Sequence, residues 1–83
     1  MKFAKIKLSY ATSLAVYGTP DRAKSVTVRV IDHIVTDIVD YYIYETLCPK
    51  HAIILQYGST QRVCKDISSA IYFAECHIFD LPF

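Results

Sequence analysis

The stretch from Thr19 to Leu47 decides what this chain can fold into, because two periodicities compete for it. Its opening, Thr19-Pro20-Asp21, has the chemistry of a helix start: Thr is a good N-cap, Pro suits the first helical position, and Asp suits the positive end of the dipole. Ala23, Val26, Val30, Ile31, Ile34, Val35, Ile38, Val39, Tyr42 and Ile43 then fall on one helical stripe, with Val28 off it. The opposite face would carry Arg22, Lys24, Arg29, His33, Asp37, Asp40 and Tyr44. Against this, the segment is crowded with Val, Ile, Thr and Tyr, which favour strands. The rival reading is a hairpin over 25–33 and 38–45. Alternation is clean only from Val26 to Val30, however, and no Gly or Asn marks a turn. Capping and period agree with each other, so the sequence predicts a helix over 20–47.

The flanks are simpler. Ala4, Ile6, Leu8, Tyr10, Thr12, Leu14 and Val16 alternate with Lys5, Lys7, Ser9 and Ser13, which predicts a half-buried strand over 4–16. Ala11-Thr12-Ser13 is the one place for a bend. Pro49 ends what precedes it. His51–Tyr57 reads as a buried strand closed by Gly58, with a short helix as the alternative. Ser59 or Thr60 then caps a second helix with a stripe of Val63, Cys64, Ile67, Ala70, Ile71 and Ala74. The tail, His77–Phe83, is expected to lie extended against the core. The fold class is thus α+β, one domain over 1–83. A small sheet packs on two helices in the order strand-helix-strand-helix. The alternative is an antiparallel four-stranded sheet followed by two helices.

A chain this short buries only about 60% of its unfolded surface and needs extra support from disulfides, a metal or oligomerisation. Its hydrophobic content is 53%, above the ~45–50% usual for a globular domain. A helix over 20–47 would be about 42 Å long, against a radius of gyration of about 12 Å for a compact chain of this size. A homodimer is therefore expected, with Ile34, Ile38 and Tyr42 partly in a shared core. Three cysteines, an odd number without a dense framework, point to a reducing, cytoplasmic compartment. The longest apolar run, Ala52–Leu55, is far short of a membrane span, and no membrane association is expected. The basic opening MKFAKIK is followed by Ser9, Thr12 and Ser13, which argues against a signal peptide.

Catalytic signatures are missing from the sequence. There is no Gly-rich phosphate loop, no Gly-x-Ser-x-Gly elbow and no His-Glu-x-x-His, so neither an enzyme nor a cofactor is expected. Cys48-Pro49-Lys50-His51 has a chelating spacing, but Cys64 lies on an apolar stripe, and buried thiols are the plainer reading; no metal is expected. Binding is the remaining class. Helical spacing would gather Asp37, Asp40, Tyr41 and Tyr44, with Glu45 beside them, into an acidic, tyrosine-bearing candidate face for a partner. A second candidate is basic: Lys5 and Lys7 on the outer face of the first strand, with Arg22, Lys24 and Arg29. Charge is unevenly spread. Residues 1–29 hold six cations and one anion, while residues 30–83 hold three cations and seven anions.

Met1-Lys2-Phe3 with Lys5, Ala15-Val16-Tyr17, Lys24, Arg29-Val30, Arg62-Val63 and Ile67-Ser68 together resemble a small phage anti-CRISPR protein of the type I-F class. The matched residues are scattered, and the family's Gly-rich turns are missing here. The resemblance implies a four-stranded antiparallel sheet plus two helices, which requires the hairpin reading of 25–45. It also implies action without catalysis, by occupying a surface of the crRNA-guided surveillance complex; no binding residue carries over. The expected function is a non-enzymatic inhibitor in the host cytoplasm that binds a larger protein or ribonucleoprotein complex. The alternative is a small dimeric nucleic-acid-binding regulator, with nucleic acid the less favoured partner.

Overall fold

A computed structural model of the protein describes residues 2–18, 25–47 and 51–78. Its elements are β1 (Lys2–Lys7), α1 (Tyr10–Tyr17), β2 (Ser25–Ile34), β3 (Tyr41–Thr46), β4 (Ile53–Tyr57), β5 (Thr60–Cys64) and α2 (Ile67–Ile78). The strands form one antiparallel sheet in chain order. The α+β class holds, but the strand-helix-strand-helix order does not. The four-stranded alternative comes closer and also fails in detail: the described residues form five strands, and α1 precedes all but the first of them.

The strand expected over 4–16 stops at Lys7 because Ser9 starts a helix. Ser9 is extended, with φ −69° and ψ 162°, and its hydroxyl accepts the Thr12 N–H at 3.2 Å. Gly18 closes the helix in the left-handed region at φ 75°, its N–H donating to the Leu14 carbonyl at 2.9 Å. A residue with a Cβ is strained at that φ.

Of the helix expected over 20–47, residues 25–46 form a hairpin of β2 and β3 instead, and 20–24 lie outside the described residues. Strand propensity wins, and the register explains the misleading stripe. Val26, Val28 and Val30 face the α1 side of the sheet. The pairing with β3 then shifts between Val30 and Asp32, so that Ile31 is an extra residue and Ile34 faces the α2 side. A bulge between two alternating runs leaves apolar residues at mixed spacings that resemble a helical face. Ile38, expected partly in a core shared by two copies, is 95% exposed in the single chain.

β4 matches the strand expected at His51–Tyr57. The second helix starts later than expected, because Gly58-Ser59 is the turn of a β4–β5 hairpin and Val63 and Cys64 belong to a strand. Gly58 takes φ 57° there. The N-terminal cap of α2 comes from Asp66, whose carboxylate accepts the Ser69 N–H at 2.7 Å and whose carbonyl accepts the Ala70 N–H at 3.1 Å. The Ile67, Ala70, Ile71 and Ala74 stripe survives. Of the expected extended tail, His77 and Ile78 end α2, and 79–83 lie outside the described residues.

Each face of the sheet has its own core. Leu8, Val16, Val28, Tyr44 and Ile54 pack on the α1 side, and Tyr41, Ile43, Ile53, Leu55, Ala70 and Ala74 on the α2 side. The helices thus lie on opposite faces, and β3 and β4 are buried from both. Among the described residues the longest strand is the ten-residue β2 and the longest helix the twelve-residue α2, and the radius of gyration is 12.5 Å. Neither of the over-long elements that called for a second copy forms among the described residues.

The Asp66 cap yields a pH-dependent prediction. The hydrogen bonds from Ser69 hold its carboxyl below the ordinary carboxylate value. A depressed folded-state pKa gives stability that is complete above the unfolded pKa, near ~4, and is lost as pH falls through the folded value. Asp66→Ala should lower Tm by roughly 5 °C at neutral pH, and the deficit should shrink in acid. Thermal unfolding followed by circular dichroism at both pH values checks it; a deficit that does not change with pH would refute the assignment.

Candidate interaction site

The loop between β2 and β3 is short, ordered by its own side chains and apolar at its tip. The Thr36 hydroxyl organises it: it donates to the Val39 carbonyl and accepts the N–H groups of Ile38 at 3.3 Å and Val39 at 3.1 Å. A threonine turn of this kind needs no Gly or Asn. It sends neighbouring side chains opposite ways. Val39 packs into the α2-side core, whereas Val35 and Ile38 stand 71% and 95% exposed.

The base of the loop is also tied. His33 Nε2 and Asp40 Oδ2 lie 3.0 Å apart across the hairpin, and the His33 N–H donates to the Asp32 carboxylate at 2.8 Å. The His33 ring stacks on Tyr42 at 4.2 Å, and Tyr42 stacks on Tyr44 at 5.7 Å. The His33 and Asp40 side chains are 39% and 41% exposed, so the pair sits in water and its electrostatic worth is small. Its evident work is closing the hairpin.

Beneath the tip lies a cavity of about 310 Å³ lined by Thr36, Asp37, Ile38, Val39, Tyr41, His77 and Ile78. At its back the Tyr41 hydroxyl is hydrogen-bonded to His77 Nδ1, and Tyr57 packs against both rings. Burial pushes the Tyr41 phenol up from its ordinary value, with nearby Tyr57 adding to the effect. Tyr41 is therefore a neutral hydrogen-bonding group at physiological pH. An apolar rim, a polar back wall and one carboxylate, Asp37, make a surface suited to holding an apolar or basic side chain of another molecule.

The acidic face read from the sequence is taken apart by this geometry. Asp37 and Asp40 are on the loop. Tyr41 is buried in the α2-side core and Tyr44 in the α1-side core. Glu45 lies at the far end of β3, with Arg29 Nη2 2.6 Å from its carboxylate. Strand geometry separates what helical spacing would have joined. Lys5, Lys7 and Arg29 share one face of β1 and β2, while Arg22 and Lys24 lie outside the described residues. The exposure of Val35 and Ile38 was not read from the sequence because the helical stripe claimed them for a core.

Cys48, of the Cys48–His51 pair, lies outside the described residues. Among the described residues no three ligand-type side chains come together, and no helix is long and apolar enough to cross a membrane. The chain matches no protein-family model, no curated protein and no solved structure.

Proposed function

We propose that the protein is a non-enzymatic inhibitor that docks on a larger protein or ribonucleoprotein complex, in the manner of the phage anti-CRISPR proteins of the type I-F class that its sequence resembles. The observation carrying the docking part is the tip. Two branched apolar side chains, Val35 and Ile38, are held in water by a turn that Thr36 keeps ordered. Exposing them gives the fold nothing, whereas burying them in a partner gains about 1.5–3 kcal/mol per side chain. A preordered loop also loses little entropy on binding. The identity part draws support from the hairpin over 25–46, which the resemblance requires. The carboxylates of Asp37 and Asp40 suit this tip to the basic surfaces of nucleic-acid-handling complexes.

The test is biological. The protein is expressed in a bacterium whose type I-F system restricts a targeted phage, and plaques are counted. Wild type should restore plaquing by several orders of magnitude. Val35→Asp/Ile38→Asp should lose that effect while remaining folded. Full restriction in the presence of well-expressed wild type would end the anti-CRISPR reading. Full inhibition by the double variant would end the role of the tip.

A further inference from the structure

We propose that a second surface, the part of the sheet that α2 leaves open, binds single-stranded nucleic acid. This proposal does not depend on the hairpin tip. Ala4 and Ile6 pack into the α1-side core, so the alternate residues of β1, Phe3, Lys5 and Lys7, emerge on the other side. Opposite them in β2 are Arg29, Thr27 and Ser25. That side of the sheet is covered by α2 only over β3, β4 and β5. Phe3 is 52% exposed, and Lys5, Lys7, Ser25 and Thr27 are exposed as well.

The chemistry of the row favours a polyanion with flat apolar faces. Among the described residues the ion pairs are Arg29–Glu45 and His33–Asp40, so Lys5 and Lys7 keep their charge free of any described carboxylate. They stand two residues apart on one strand, about 6.6 Å, within reach of successive phosphates on an extended strand. Phe3, the next position in the row, offers an aromatic face for a base, and base–aromatic stacking tolerates any sequence. Thr27 and Ser25 add hydroxyls without bulk, leaving the strand room to approach. Asp32 caps the row at the tip end, which orients the charge toward Lys7. An acidic protein would use the lysines but would have little use for an exposed phenyl ring between them and the sheet end.

The test uses the purified full chain, a labelled oligothymidine of about 15 nucleotides, and fluorescence anisotropy. We expect a Kd in the range of about 10–100 µM at 50 mM salt, typical of contacts of this kind. With two phosphate contacts the affinity should fall about sevenfold between 50 and 200 mM salt, since single strands lose about 0.7 log units per contact per tenfold change in salt. Lys5→Ala/Lys7→Ala should weaken binding and flatten that salt dependence. Phe3→Ala should weaken it about tenfold and leave the salt dependence intact, while Phe3→Tyr retains binding. Circular dichroism shows whether each variant is folded, and the lysine and Phe3→Tyr variants carry the test if Phe3→Ala is not. Three results would overturn the proposal: no binding at 50 mM salt, binding indifferent to both lysines, or equal affinity for polyglutamate. The last would make the face a site for acidic protein.

Discussion

Ile43→Asp should unfold the protein at room temperature, whereas Ile38→Asp should leave its thermal midpoint almost unchanged. The two isoleucines are five positions apart, and their surroundings differ completely. Ile43 is fully buried between the sheet and α2, beside Leu55, Ala70 and Ala74. Its register partner across the hairpin is Asp32. A carboxylate there would be desolvated without a cation and would face a like charge. The loss should exceed about 4 kcal/mol, comparable to the whole stability of about 4–12 kcal/mol expected for a domain of this size. Ile38 has water on nearly every side, so its replacement should change stability by under about 0.5 kcal/mol. Urea unfolding measures both. If Ile38→Asp unfolds the protein as well, the tip is buried in solution. Light scattering on wild type then tells whether a second copy covers it; equal masses for wild type and a folded Ile38→Asp leave the tip free for a different partner.

How much of this was legible depended on how many faces an element buries. β4 was readable because a short apolar run between Pro49 and Gly58 has few alternatives. The stripe of α2 was readable because one face of that helix meets the sheet. β2 and β3 were not. β3 is buried on both sides, Tyr41 and Ile43 toward α2 and Tyr44 toward α1, so its sequence loses the alternation that marks a half-buried strand. β2 alternates until the shift after Val30 and then changes sides. The sum of a continuous run and a bulge mimics the spacing of a helix. Local propensity, which was crowded with Val, Ile, Thr and Tyr, carried the correct signal.

The turn signals misled in a related way. The hairpin lacked Gly and Asn at its bend, yet Thr36 supplies the turn through its hydroxyl. Ser9 and Gly18 bracket α1 with a sound N-cap and C′ glycine. Both were in plain view, but the even-numbered apolar residues over 4–16 suggested one strand. The candidate face fell with the helix: Asp37, Asp40, Tyr41, Tyr44 and Glu45 are neighbours only on a helical surface. Lys5 and Lys7 keep a common face because they were read on a strand, and β1 is a strand.

Ala74→Leu should cost more stability than its mild chemistry suggests. Ala70 and Ala74 are both fully buried and lie one helical turn apart on the face of α2 that meets Ile43, Ile53 and Leu55. Their small side chains let the helix approach the sheet closely. Extra methylene groups at such a contact have nowhere to go and lift the helix, at a cost of about 1–3 kcal/mol. That corresponds to a fall in Tm of roughly 5–20 °C for a domain of this length. The lift has a second readout. The Tyr41 phenol is raised chiefly by burial under this helix and is hydrogen-bonded to His77 near its end. As α2 moves away, water reaches Tyr41 and its titration should return toward the ordinary tyrosine value, visible in an ultraviolet pH titration. Ser68→Leu is the control, since Ser68 is exposed on the same helix and leucine there improves helix propensity. Equal Tm values for the two variants, with Tyr41 still titrating high in Ala74→Leu, would mean that the alanines do not set the distance between helix and sheet.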